Sequence, residues 1–179
     1  RAYKRIRAYL PEDKVIVFSD GFRLGVWKDF FNKHGMINVM LDMHNYLYAM
    51  ETFVPFPAKW IYRLFVGCSR MEIRAAMKHT PVIVGEWCLE CRRPFYMGRK
   101  KGCTDAEVTA IRQKEYRAVA QLQLDAWETS AGWFFWNYQM YRDKFAPITG
   151  DGQNDTHGTS MDGWALNRCW EHGWWPESK

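Results

Sequence analysis

No uncharged apolar run in the chain approaches the roughly 18–20 residues that a membrane span needs. The basic opening Arg1-Ala2-Tyr3-Lys4-Arg5 is not followed by an apolar signal core, so no targeting segment is read there. There is no Gly-rich phosphate loop, which argues against a nucleotide-binding doubly wound sheet. Internal repeats and low-complexity tracts are absent. Charge of one sign is scarce too: 25 Lys and Arg against 20 Asp and Glu leave +5. The dense basic runs are Arg1–Arg7 and Arg92–Lys101, and neither fits a reader motif, so no nucleic-acid partner is expected.

What is present is apolar and aromatic. Apolar residues make up 47% of 179 residues, enough to bury the core of one domain. Ten Trp, nine Tyr and eleven Phe favour a ligand with flat apolar faces and polar edges. Sugars are such ligands, because their C–H faces stack and their hydroxyls bond. Cys68, Cys88, Cys91, Cys103 and Cys169 are an odd number, which argues against a fully paired secreted scaffold. Cys88-x2-Cys91 followed by Cys103 reads as part of a zinc site, as a local disulfide or as free thiols. Free thiols are the favoured reading, because the local spacing lacks a fourth ligand.

Four short runs read as buried strands: Lys14–Phe18, Ile37–Leu41, Pro81–Val84 and Gly132–Trp136. Each is continuously apolar, as expected of strands covered on both faces, and each is followed by polar or charged residues. Helical signals lie between them. Ser69-Arg-Met-Glu72 reads as a capping box opening a helix to about Lys78, after an extra helix over 57–66 that stops near Gly67. Thr104-Asp-Ala-Glu107 reads as a second box, opening a long helix to about Glu128 with Val108, Ile111, Ala118, Leu122 and Ala126 on one face. A helix tail over Arg1–Leu10, mostly loop over 21–36 with a turn near Trp27–Phe31, loop over 141–163 and a short helix over 164–172 complete the reading. Strand–helix alternation of this kind is parallel α/β architecture.

The chemistry-bearing residues fall at the C-terminal strand ends, where the loops of a barrel carry function. Glu86 follows Val82-Ile-Val84 and Gly85 at the mouth of a strand. It reads as a pocket carboxylate, or else as a helix cap or a salt-bridged loop acid. His44 and Tyr46 are two apart, so in extended chain they point to one side. They offer an imidazole and a phenol to a carboxylate or a sugar hydroxyl; the plainer reading is a core histidine and a locally bonded tyrosine. Trp136 ends the fourth strand, as a ligand platform or as packing.

Val15-Ile-Val-Phe-Ser-Asp-Gly-Phe22, Leu41-Asp-Met-His-Asn-Tyr46, Val82-Ile-Val-Gly-Glu-Trp87 and Gly132-Trp-Phe-Phe-Trp136 occur in this order. The ordered set resembles the last four strands of glycoside hydrolase family 5 barrels, in the exo-β-1,3-glucanase and β-glucosidase branch. The resemblance runs from about residue 10 to 140, and Trp164–Trp170 is similar to the closing helix. It implies an α/β fold that is the C-terminal half, about strands 5 to 8, of a TIM (β/α)8 barrel, with residues 1–179 a partial catalytic domain. It implies a retaining β-glycosidase with Glu86 as nucleophile, His44 and Tyr46 as its catalytic neighbours, and Trp136, Asp20 and Phe22 lining the sugar cleft. No cofactor and no metal are implied.

The acid/base glutamate of such enzymes follows an asparagine, and no Asn-Glu pair occurs in this chain. The expectation is therefore a C-terminal half, inactive alone, whose partners are the N-terminal half of the same barrel and a β-glucan or β-glucoside. The alternative is a non-catalytic carbohydrate-binding module or pseudoenzyme using the same aromatic cleft. The compartment stays open between secreted and microbial cytoplasmic.

Overall fold

A computed structural model of the chain describes residues 1–51, 53–54, 59–97, 103–140 and 160–177. Four strands form one sheet in the order β1 (Ile16–Ser19), β2 (Val39–Asn45), β3 (Val82–Trp87) and β4 (Gly132–Phe135), every neighbouring pair parallel. The order in the sheet is the order in the chain. Right-handed crossovers that never reverse direction put all connecting helices on one face, as in a barrel. A doubly wound sheet reverses and covers both.

Helix α1 (Ala2–Arg7) precedes β1, and two four-residue helices, α2 (Leu24–Trp27) and α3 (Phe30–Lys33), replace the loop expected between β1 and β2. Helices α4 (Leu47–Glu51) and α5 (Lys59–Ala76) connect β2 to β3, and α6 (Arg92–Met97) and α7 (Asp105–Trp127) connect β3 to β4. A 3-10 turn (Ser160–Trp164) and α8 (Leu166–Glu171) close the described chain. Helices α4 and α6, only a turn or so long, were not expected from the residue pattern. Most of the loop expected over 141–163 lies outside the described residues.

The core joins Leu41, Met43, Val82, Val84 and Trp87 of the sheet to Tyr62, Val66 and Ile73 of α5 and to Tyr116, Val119, Ala120 and Trp127 of α7. That places the helices on one face only. Strand β2 alternates strictly: Val39, Leu41, Met43 and Asn45 are buried, while Met40, Asp42 and His44 are partly exposed. Val17 is 49% exposed and Phe134 62%. The expectation that both faces are covered is corrected: among the described residues, the apolar character of the second face has no helix layer to explain it.

Two helix readings are also corrected. Helix α5 runs through Gly67 without a break, and Ser69 caps nothing. Its hydroxyl donates to Phe65 O at 3.1 Å and accepts from Asn45 Nδ2 at 2.9 Å, so it back-bonds within the helix and ties it to β2. Continuous burial of Tyr62, Val66, Ser69 and Ile73 carries the helix past the glycine. In α7 the buried stripe is Arg112, Glu115, Tyr116, Val119, Ala120, Gln123, Ala126 and Trp127, rotated from the apolar one expected. Polar members are there because they have partners. Gln123 donates to Cys88 O at 3.1 Å, and Glu115 pairs with Lys59 at 2.6 Å.

The capping box at Thr104 is formed as read. Its hydroxyl accepts from Glu107 N at 3.3 Å, and the Glu107 carboxylate accepts from Thr104 N at 2.8 Å. Thr104→Ala should destabilise the chain by about 1 kcal/mol in urea unfolding at neutral pH. Glu107 is held below the usual glutamate range, first by the Thr104 backbone bond and then by its hydroxyl. A depressed folded value adds stability above the free-glutamate range and loses it as pH falls through the lower value. The gap between Thr104→Ala and the parent chain should therefore narrow in acid.

Candidate active site

The site is assembled where β2 and β3 end. Up to Met43 and Val84 the two strands pair in step, but the next pair is His44 with Glu86, so Gly85 is an extra residue on β3. In unbroken register Glu86 would lie beside Asn45, which is buried and bonded to Ser69 on the helix side. The bulge turns Glu86 to the side of His44 instead, and Trp87 returns to the core opposite Asn45. Only glycine fits at the bulge: a Cβ on residue 85 would stand 2.0 Å from Asp42 Oδ1.

The Glu86 carboxylate is a quarter exposed, and two side chains meet one of its oxygens. Tyr46 Oη donates to Oε2 at 2.5 Å, and His44 Nδ1 lies 3.2 Å from the same atom. Burial, and then the bond to Glu86, push the Tyr46 phenol far above its ordinary value, so it stays a donor across the working pH range. The other ring nitrogen, His44 Nε2, lies 3.1 Å from Asp42 Oδ2. Asp42 sits two residues before His44 on β2, on the same face, and was not singled out in the sequence. The signal available was that spacing, Asp-x-His on a strand, two residues apart.

Asp20 and Phe22 reach the same place from the end of β1. Asp20 is 3% exposed, and its Oδ1 accepts from Phe22 N at 2.9 Å. Burial pushes its carboxyl up, and the Phe22 N–H offsets part of that. Gly21 and Phe22 both have positive φ, 58° and 59°. For a phenylalanine that is a strained conformation, of the kind found at functional turns. The turn leaves Phe22 75% exposed, with its ring edge-on to His44 at 6.3 Å. Phe22 thus faces the open side, whereas Asp20 lies beneath it and holds the turn.

Trp136 follows β4 and is 48% exposed, with its backbone N–H donating to Trp87 O at 2.8 Å. The indole packed on the site tyrosine is a different one. The Trp164 ring lies 5.3 Å from Tyr46 and 5.2 Å from Tyr48. Residues 162–166 are strapped down by backbone bonds: Leu89 N to Gly163 O at 2.9 Å, Asn137 N to Trp164 O at 2.6 Å and Leu166 N to Asn137 O at 2.9 Å. Buried Asp162 secures the strap to α8 through Arg168 Nε at 3.4 Å and His172 Nε2 at 3.0 Å. Trp164 lies far from Tyr46 in sequence, and its packing there had no local signal.

All five cysteines are free thiols, so no disulfide joins Cys88, Cys91 or Cys103. Cys88, Cys91 and Cys169 are buried, and burial pushes each thiol up, so they are neither nucleophiles nor ready ligands. Among the described residues no group of three or more His, Cys, Asp or Glu could hold a metal ion, and no helix is long and apolar enough to cross a membrane. A cavity of about 220 Å³ between α1, β1 and α3 is lined mainly by Tyr3, Phe18, Trp27, Phe30, Phe31 and Met36. It shares no residue with the Glu86 cluster and offers no carboxylate.

No family model matches the chain. It is 28% identical over 163 residues to a protein described as probable glucan 1,3-beta-glucosidase A of Aspergillus terreus, covering 78% of this chain and 38% of that relative. It is 25% identical over 159 residues to glucan 1,3-beta-glucosidase 2 of Schizosaccharomyces pombe, covering 69% and 27%. Against the glucan 1,3-beta-glucosidase of Kluyveromyces lactis the figures are 24% over 167 residues, 77% and 38%. The chain spans less than two-fifths of the length of these curated relatives. With its four-strand parallel sheet, it is a distant homologue of the glucan 1,3-β-glucosidases, the exo-1,3-glucanases of glycoside hydrolase family 5, over part of their length.

Proposed function

We propose that the chain is about strands 5 to 8 of a (β/α)8 barrel, and that with the other strands it forms a retaining β-glycosidase acting on β-linked glucosides or glucans. The observation that carries this reading is the Glu86 carboxylate at a strand end, held by Tyr46 and His44. A retaining glycosidase needs two carboxyl groups about 5–5.5 Å apart. Glu86 supplies the nucleophile, and the acid/base carboxyl comes from the first half of the barrel.

The steps balance as follows. A Glu86 oxygen bonds to the anomeric carbon as the glycosidic C–O bond breaks, and the acid/base carboxyl gives its proton to the leaving oxygen. Water then adds to the anomeric carbon of the glycosyl ester, losing its proton to the same carboxylate, and Glu86 leaves as the anion. Tyr46 and His44 at Glu86 Oε2 hold the attacking carboxylate in place. Trp136 serves as the platform under the sugar, its π face near the positive charge that develops. Phe22 lines the cleft, and Asp20 fixes the turn that presents it. The open sheet face, with Val17 and Phe134, is the wall the first half of the barrel covers.

The test is complementation. The chain is incubated with an aryl β-glucoside, alone and with the N-terminal half of the barrel. Hydrolysis only in the mixture is the expected result. Robust turnover by the chain alone, or none in a mixture shown to associate, refutes the proposal. Glucan binding without turnover in that associated mixture points to the carbohydrate-binding alternative.

A further inference from the structure

We propose that Asp42 is a positioning residue, which fixes the His44 ring so that both ring nitrogens donate, one to each of two carboxylates. The functional meaning of this rests on the reading of Glu86 as nucleophile; the ring assignment itself does not.

His44 stands between two carboxylate oxygens, Glu86 Oε2 at 3.2 Å from Nδ1 and Asp42 Oδ2 at 3.1 Å from Nε2. A neutral imidazole has one N–H and one lone pair, so one nitrogen would turn a lone pair toward an anion. Both contacts are satisfied together when the ring carries both protons. Asp42 supplies the second acceptor and the second countercharge. Glu86 loses its charge on forming a glycosyl ester and regains it on hydrolysis, and Asp42 remains an anionic partner of the ring throughout.

Asp42 is otherwise poorly placed. Its Oδ1 is buried with no hydrogen-bond partner among the described residues and lies against Gly85. A buried carboxylate oxygen without a donor is destabilising. The site is thus built to hold this side chain: an unpaired oxygen is tolerated and residue 85 is kept free of a Cβ, while Oδ2 is aimed at the imidazole. The other groups around the ring are accounted for. Asp20, from β1, is the further acid that interacts with His44, with Glu72 beyond it, and Tyr46 donates to Glu86. The ring of Phe22 stands edge-on to the imidazole.

The experiment is nitrogen-resolved NMR of the imidazole in the 15N-labelled chain, with Asp42→Asn as the variant. Two His44 N–H signals are expected in the parent chain at neutral pH. One is expected in Asp42→Asn, because the amide keeps the shape of the carboxylate and removes its charge. Two signals in a folded variant overturn the proposal. A single signal in the parent chain overturns it without any variant, should Asp42→Asn fail to fold. A second measurement uses an activated 2-deoxy-2-fluoro-glucoside, which labels a nucleophile without needing the acid. In the complemented enzyme Asp42→Asn should slow labelling of Glu86 about 10–100-fold, on the scale of carboxylates that orient metal-bound imidazoles. Equal labelling rates overturn the positioning role. The expected ring signals with no labelling even of the parent enzyme uphold the ring assignment and remove Glu86 as nucleophile.

Discussion

Glu86→Gln should remove nearly all turnover from the complemented enzyme. The substitution keeps the length and shape of the side chain and leaves an amide oxygen to accept from Tyr46. It takes away the charge and the nucleophilic oxygen. Loss of a nucleophile costs roughly 10^4- to 10^6-fold in rate. The group is a quarter exposed and outside the core, so unfolding by urea should change little. The check is a rate assay on an aryl glucoside with a good leaving group, so that acid assistance is not limiting. A loss of less than tenfold would mean that the carboxylate only binds sugar. The Glu86→Gly variant adds a second readout: azide entering the vacated space should restore turnover and yield the α-glycosyl azide, since one inversion replaces two.

Trp87→Ala should be the most destabilising single change, at about 3–5 kcal/mol. The indole is fully buried, with ring centroids of Phe135, Trp133, Trp175 and Trp127 at 5.1, 5.4, 5.8 and 6.5 Å. Truncation opens a cavity among rigid rings that cannot collapse into it. Trp87→Phe should cost much less. It leaves a smaller hole, and it removes an indole N–H that is buried with no partner among the described residues. Urea midpoints of the two variants test this directly. Equal losses would mean that the aromatic packing is slack. Because Trp87 adjoins Glu86, activity in Trp87→Ala should fall with the folded fraction.

The strands were legible because each is a short β-branched or aromatic run ending in polar residues. All four are found, and His44, Tyr46 and Glu86 do meet at one oxygen. Sequence reasoning ended β2 at Leu41 and β3 at Val84, because polar residues follow. Both strands run on, since Asp42, His44 and Glu86 face the open side of the sheet rather than its core. The stripe on α7 was misread because counting apolar residues ignores a Gln or Glu whose partner lies far along the chain. Gly67 looked like a stop because propensity is local, whereas the burial that overrides it is tertiary. Trp164 was missed because its contact is long-range, and Asp42 because β2 was ended before it, although its spacing from His44 put both on one face.

The extra residue at Gly85 makes the direction in which the acid faces a matter of strand geometry as well as of side-chain identity. Pulling the strand straight with every residue kept would send the acid into the hydrophobic layer and swing the neighbouring indole outward.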